Sequence, residues 1–379
     1  MKLTRSFAAA VAVAASVLTA SQFAYAEGLP KNFTWTAYGT TSSGYAASVA
    51  IGNALAEEGY KLRVQPAKND ISRMTPLRVK KIEFSAMGVG AYQAQEGVFD
   101  FGKKPWGPQK VRLVMMGWGE PNTAVVATAK DAGITSAAKL KGKRIAWVVG
   151  GPSLNQNMTA WLAYGGLSWD DVTKVTVPGW GASIQGIIDG NLDAAIASTN
   201  SSMLFQVDSS PRGLHFFPAP HNETENWKRL QEVAPWFAPH VATAGVGLSK
   251  DKTLEGASYG YPILITYDWQ SEQAVYEMTK LLDKKYDKYK DAHASAAGFA
   301  LKLQVFDWII PYHKGAVKYF KEAGVWNDKF EAHNNKLLER QEVLAAAWKK
   351  VGEDAPYETW MAERAKALKA AGFAPVWEN

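Results

Sequence analysis

The 379-residue sequence predicts a two-lobed α/β protein with a helical C-terminal extension, and three observations carry that prediction. Short β-prone runs alternate with helical runs from residue 33, the alternation restarts after Gly133, and beyond Tyr267 only helical periodicity remains. Strand–helix alternation builds a sheet flanked by helices, with ligand loops at the carboxyl ends of its strands. Two cycles of it imply two lobes that meet at a cleft.

The first 26 residues read as an export leader rather than as part of this fold. Lys2 and Arg5 give a positive start, residues 7–18 an apolar run, and Ala24-Tyr25-Ala26 a small-residue cleavage site. The expected product is cleaved after Ala26 and released to the periplasm; a retained N-terminal anchor is the alternative. The apolar run is short for a bilayer span, and no later stretch is long and apolar enough to make one. About 350 residues remain, enough for two separate cores. Loss of Lys2 and Arg5 lowers the formal charge from +6 by two, a mild bias without the clustered Lys/Arg footprint of nucleic-acid binding. The chain has no cysteine, so the fold forms no disulfides despite an oxidising destination.

The elements then follow in order. Strands are expected at 33–38, 61–65 and 83–87, each followed by a helix, at 45–58, 71–80 and 91–96. Segments 111–117 and 123–128 are both strand-like. The second cycle places strands at 143–148, 174–177 and 193–197, with helices at 153–164 and 182–189. Segments 123–128 and 241–248 (V-A-T-A-G-V-G-L) read as paired crossover strands forming a hinge, although edge strands would look alike in sequence. The mature chain then divides into a first lobe (27–125), a second lobe (126–245), a return to the first (246–325) and an extension (326–379). Val275, Met278 and Leu282 recur on one helical face. Further helices are expected at 294–309, 314–323 and 328–350, and around Met361, Ala365 and Leu368; the last two should be charged outside and apolar on one face.

The chemistry concentrates in loops. Gly39-Thr40-Thr41-Ser42-Ser43-Gly44 joins a strand to a helix, where exposed amides, hydroxyls and the helix dipole attract an anionic group. Thr40, Thr41, Ser42, Ser43 and Tyr45 are therefore candidate ligand contacts, with helix capping by Thr41 or Ser42 as the alternative. Asn69 and Asp70 open the next helix, again as ligand contacts or caps. Met87 and Gly88 end the third strand, where glycine allows close backbone approach. In the second lobe Ser153 and Asn155 open a helix, and Thr199 and Asn200 follow a strand. Fifteen tryptophans is heavy for this length; Trp118, Trp180 and Trp236 are candidate cleft walls, against simple core packing. Arg73 and Arg78 are within reach of an anionic solute, but solvated helix charges are the preferred reading.

Several of these segments resemble a known family. Gly39-Thr40-Thr41-Ser42-Ser43-Gly44, Leu140-Lys141-Gly142-Lys143-Arg144-Ile145, Ile188-Asp189-Gly190-Asn191-Leu192-Asp193-Ala194 and the run from Pro311 to Gly324 (P-Y-H-K-G-A-V-K-Y-F-K-E-A-G) are similar in order and spacing to the TAXI family. These are the TRAP-associated extracytoplasmic solute receptors of tripartite ATP-independent periplasmic transporters. The resemblance spans about residues 33–325. It implies a type II periplasmic binding-protein fold with the ligand between lobes and delivery of solute to a sodium-coupled TRAP-type permease; a monomer is expected, with the oligomeric state left open. Lys68-Asn69-Asp70-Ile71-Ser72 and Gly150-Gly151-Pro152-Ser153-Leu154-Asn155 depart from the family pattern at ligand loops, so the family's usual substrates do not transfer. Residues 326–379 extend beyond the common family length.

Catalysis finds no support in the residues. There is no GxSxG elbow, no phosphate-binding GxxxxGK[ST] loop and no HExxH. The six histidines are scattered, and Glu57-Glu58 and Asp170-Asp171 fall at helix ends. No cofactor and no metal are expected, and His313 is expected to position a helix. The readings carried forward are a solute receptor for a membrane permease, and a sensor presenting its solute to a membrane histidine kinase. A secreted enzyme with an unrecognised site is the third. The expected solute is a small organic acid or an amino-acid-like zwitterion.

Overall fold

The computed structural model describes residues 28–118 and 124–378; the leader read at 1–26 lies outside the described residues. The chain forms two sheets. The first has the order β2-β1-β3-β12-β4, with β1 (Asn32–Ala37), β2 (Lys61–Pro66), β3 (Phe84–Met87), β4 (Val111–Met116) and β12 (Ile263–Tyr267). The second has the order β10-β11-β5-β8-β6-β7, with β9 beside β5. It is made of β5 (Ala124–Ala129), β6 (Arg144–Val148), β7 (Thr173–Val177), β8 (Ala194–Ser198), β9 (Leu214–Phe216), β10 (Ala238–Ala242) and β11 (Leu254–Ser258).

The two lobes repeat one plan. In each, a trio of parallel strands is completed by the strand arriving from the other lobe: β12 runs antiparallel to β3 and β5 antiparallel to β8. This is the two-lobed α/β architecture expected from the sequence. The first core is built on β1, whose alternation buries Phe33, Trp35 and Ala37; Phe33 meets Phe84 and Tyr60 edge to face. The second sheet is lean at its centre, with β5 and β8 burying mainly Ala, Val and Ile.

The crossing segments differ from the sequence reading. β5 does follow the first crossing, but segment 241–248 is not a crossover. Its first residues finish β10, an edge strand paired among the described residues with β11 alone, and the rest forms turns anchored by Val246 N donating to Thr199 O. The return to the first lobe is Tyr259–Pro262, between β11 and β12. Gly117 N donates to Pro262 O and Tyr261 N to Gly117 O, both at 2.7 Å, so the start of the first crossing lies beside the return. The V-A-T-A-G-V-G-L run carries a strong β signal, yet only pairing partners distinguish an edge strand from a crossover.

Helices α1 (Ser43–Ala56), α2 (Asp70–Arg78) and α3 (Gly90–Glu96) belong to the first cycle, and α4 (Pro152–Tyr164), α5 (Trp180–Ile188), α6 (Ser202–Ser209) and α7 (Thr224–Val233) to the second. Then come α8 (Glu272–Lys284), the single turn α9 (Tyr286–Tyr289) and α10 (Lys314–Glu322). The expected helix at 294–309 is instead two short 3-10 turns, Ala294–Phe299 and Leu301–Leu303, and irregular chain. The Gln304 side chain explains this: it accepts from Met116 N at 2.9 Å and donates to Met116 O at 2.8 Å, docking the segment along β4 as side-chain-capped coil. Trp118 N donates to Gly298 O, and a Cβ on Gly298 would stand 2.8 Å from that nitrogen.

The extension forms α11 (Asp328–Val351) and α12 (Tyr357–Ala370), packed together on the first lobe. Their buried faces are not purely apolar, as periodicity suggested. Asn334, Arg340, Gln341 and Arg364 are buried with Leu344, Trp360 and Leu368. Glu96, at the end of α3, is the reason for the two arginines: Arg340 Nε and Nη2 reach its carboxylate at 2.7 and 2.8 Å, and Arg364 Nη2 joins them.

Candidate functional site

Between the lobes lies a cleft whose walls come from both sheets and from the returning crossover. Its first-lobe wall is Tyr38 and Gly39 after β1, Ser42 at the start of α1, Lys68 and Arg73 around the start of α2, and Gly88 after β3. Its second-lobe wall includes Ser153 and Leu154 of α4, Trp180 of α5, the Ile196–Ser198 end of β8, and Ser201 before α6. Ser258, Tyr259 and Tyr261 close the hinge side. These are the carboxyl ends of the parallel strands, where strand–loop–helix geometry aims backbone N–H groups and helix N-termini into one space.

A buried charge cluster sits at the seam. The Arg73 guanidinium is 4% exposed and pairs with Asp70, lies 3.9 Å from the Tyr38 ring centre, and its Nε reaches Met87 Sδ at 3.1 Å. The other carboxylate oxygen of Asp70 accepts from Ser153 N at 2.9 Å and Ser153 Oγ at 2.6 Å. Asp70 therefore ties a first-lobe arginine to the N-terminus of a second-lobe helix, a favourable place for an anion. More bonds cross the seam: Asn69 Nδ2 to Val149 O at 2.9 Å, Ser202 Oγ to Thr41 O at 2.8 Å, and Asn200 Nδ2 to Ser295 Oγ at 3.2 Å. The lobes are closed on each other.

Three tyrosines pack at the hinge wall. Tyr38 and Tyr261 lie 5.0 Å apart between ring centres, Tyr261 and Tyr259 6.0 Å. Burial pushes all three hydroxyls up, so they are neutral near pH 7 and available as donors. The Tyr38 hydroxyl is buried and has no hydrogen-bond partner among the described residues. A buried polar atom in that condition is costly and calls for a partner.

Of the residues read from sequence, Ser42, Gly88, Ser153 and Trp180 line the cleft. Ser42 also caps α1, accepting from Tyr45 N at 3.2 Å, and Trp180 Nε1 donates to Ile196 O. The others stand behind the wall or beside it. Thr40 is exposed, and Thr41 meets Met203 across the seam. Ser43 is buried within α1, and Tyr45 supplies only the amide capped by Ser42. Asn69 forms a capping box with Ser72; Asp70 and Met87 hold Arg73. Asn155 clamps the end of β6 through Val148 N and O. Thr199 Oγ1 donates to Ala244 O, and Asn200 bridges the lobes. Trp118 packs at the first crossing, its amide bonded to Gly298, and Trp236 Nε1 donates to buried Asn157 Oδ1 at 3.0 Å. These polar side chains serve backbone groups that a closed seam would otherwise strand.

Sequence reasoning missed Tyr38, Lys68, Tyr259 and Tyr261, and set Arg73 aside as a solvated charge. Arg73 looked like a surface helix charge because its counter-ion lies only three residues earlier, while its other partners, Tyr38 and Met87, stand at the ends of neighbouring strands. Tyr259-Gly260-Tyr261-Pro262, two aromatics flanking a glycine between strands, was the available signal for the hinge wall. His313 does position a helix: its Nδ1 accepts from Gly315 N at 3.1 Å at the start of α10. Among the described residues no group of His, Asp and Glu is disposed to hold a metal ion, and no helix is long and apolar enough to cross a membrane.

The fold and cleft define a two-lobed binding-protein architecture. Residues 36–324 match the model of the NMT1-like family, and the chain belongs to that family. The match stops where α11 and α12 begin. Similar solved structures include the alkanesulfonate-binding protein SsuA from Xanthomonas axonopodis pv. citri bound to MOPS, at 12% identity and a TM-score of 0.44, covering 87% of this chain and 96% of that one. The periplasmic aliphatic sulphonate binding protein SsuA from Escherichia coli is similar at 12% identity and a TM-score of 0.42, covering 85% and 87%. A periplasmic binding protein of an ABC transporter from Brucella ovis, with glutathione bound, is similar at 10% identity and a TM-score of 0.42, covering 66% of each chain.

Proposed function

We propose that this protein is an exported, periplasmic solute receptor that captures a small organic acid between its lobes and delivers it to a TRAP-type, sodium-coupled permease. One observation carries the binding part: the buried, unpartnered hydroxyl of Tyr38 on the wall of an interlobe cleft. A neutral phenol there is a donor awaiting an acceptor, and Lys68, a cation on the same wall, favours an anionic one. Arg73 and the α4 terminus are already engaged by Asp70, while Trp180, Leu154, Ile196 and the tyrosines supply apolar surface. The solute this favours has one acidic group and an apolar or aromatic body, rather than two carboxylates. The TRAP partner rests on the TAXI resemblance of the segments between residues 39 and 324.

Capture proceeds by hinge closure about the paired crossings at Gly117 and Tyr261–Pro262. A solute favours the closed form only through contacts made in that form and absent from the open one, and the second-lobe wall, Trp180 and Ser201 above all, provides them. The test is a thermal-shift screen of aliphatic and aromatic carboxylates, sulfonates and amino acids, followed by calorimetry on the best binder. Tyr38→Phe should weaken that binder by about 1.5–3 kcal/mol, the range for a hydrogen bond to a charged group, without lowering the melting temperature. Unchanged affinity would remove Tyr38 from the site, and absence of any binder would reject the receptor reading.

A further inference from the structure

We propose that Trp377, beyond the family-matched region, is a positioning residue for the cleft: it spans both lobes and sets the orientation of Tyr259 through Trp236 and Asn157. The tail reaches this place because the buried Glu96 cluster holds it there. Arg340 Nη1 donates to Ala374 O at 3.0 Å, and Arg364 Nη1 donates to Val376 O at 2.8 Å and Trp377 O at 3.1 Å. The guanidiniums that neutralise Glu96 also grip the backbone of the last turns.

The Trp377 ring is thereby wedged between lobes. On the first-lobe side its centre lies 5.6 Å from Tyr92 and 5.2 Å from Phe99. On the second-lobe side it lies 5.9 Å from Trp236. Trp236 Nε1 donates to Asn157 Oδ1 at 3.0 Å, and Asn157 Nδ2 donates to the Tyr259 hydroxyl at 3.1 Å. Tyr259 lines the cleft. Because Asn157 uses its amide to hold the phenol oxygen as an acceptor, the Tyr259 proton is directed away from Asn157. Each link is buried or half-buried, so the chain of contacts has few alternative arrangements. Opening the lobes must slide Trp236 off Trp377, which makes the tail part of the closed state's stability and not only of the first lobe's.

The test needs no ligand, so its failure is separable from failure of the receptor reading. The cysteine-free chain takes a spin-label pair at Lys81→Cys and Lys139→Cys, one exposed site on each lobe. Full-length protein carrying 3-fluorotyrosine, with the Tyr259 resonance identified by its loss in Tyr259→Phe, reports on the cleft wall. Trp377→Ala should broaden the interlobe distance distribution toward longer values and shift the Tyr259 fluorine resonance; Trp377→Phe should restore both. Asn157→Leu should shift the resonance while leaving Trp377 seated. Tyr259 and interlobe signals that stay put in Trp377→Ala overturn the proposal, as does a Trp377→Phe variant that behaves like Trp377→Ala.

Discussion

Replacing Glu96 by glutamine probes how the extension is fastened. The carboxylate is fully buried, and the side chains of Arg340 and Arg364 are 8% and 0% exposed. Burial alone would raise the Glu96 pKa, but hydrogen bonds and charge from the two arginines override it and hold the group below the usual carboxylate range. Glutamine keeps the shape and removes the charge, leaving two guanidiniums buried without a counter-ion. Breaking a buried pair this way costs about 3–5 kcal/mol. At about 2–4 °C per kcal/mol for a chain of this size, the melting temperature should fall by about 6–20 °C. Urea unfolding followed by circular dichroism measures the free energy directly. The sign with pH follows from the depressed folded-state value: the stabilisation is present above the unfolded carboxylate's pKa and is lost as pH falls through the lower folded value. Replacing Glu96, Arg340 and Arg364 together by Leu, Met and Met should recover most of the loss, because the desolvation cost disappears with the charges. A Glu96→Gln protein within about 1 kcal/mol of wild type, below the range for a broken buried pair, would refute the claim that the cluster is dry and held by the Glu96 charge.

Three further outcomes are expected. Truncation after Gly324 should give an aggregating protein, since it uncovers α3 and strands Glu96; a soluble fragment of equal stability would contradict the packing of α11 and α12. Burial and the nearby Arg112 push the His313 imidazole down to about 3, so the folded state favours the neutral ring. Wild-type stability should then decline between about pH 6.5 and 3, as the unfolded chain takes up the proton first, and His313→Asn should lose that part of the dependence; parallel pH profiles would count against it. Asp193, bonded to Arg144 and Arg212, is held at about 2 although burial opposes it. Asp193→Asn should cost about 1–2 kcal/mol at pH 7, discounted for partial solvent access, and its acid-unfolding curve should flatten above pH 2; an unchanged curve would rule this out.

Much of the fold was legible because local signals and tertiary demands agree. Ser42, Asn69 and Pro152 mark helix starts that the structure keeps, and the alternating burial of β1 follows its Phe33-Thr34-Trp35 pattern. The helix expected at 294–309 failed where a long-range partner competes, Gln304 binding the backbone of Met116 from 188 residues away. The candidate site was legible at the loop level and much less so by residue. Strand-end loops do form the cleft, but most hydroxyls and amides in them serve caps and the seam, while Arg73 and the hinge tyrosines line the cleft itself.

By itself the sequence determined the two cycles of strands and helices, the strand-end loops and the helical end of the chain, because hydrophobic period, capping residues and turn residues act over a few positions. Only the tertiary structure decided which strand crosses between lobes, which arginines are buried, and that Asp70 joins Arg73 to Ser153 and Trp377 joins one lobe to the other. Those outcomes depend on charges and rings brought together from distant parts of the chain, where burial and pairing set the energy and sequence spacing carries no record of it.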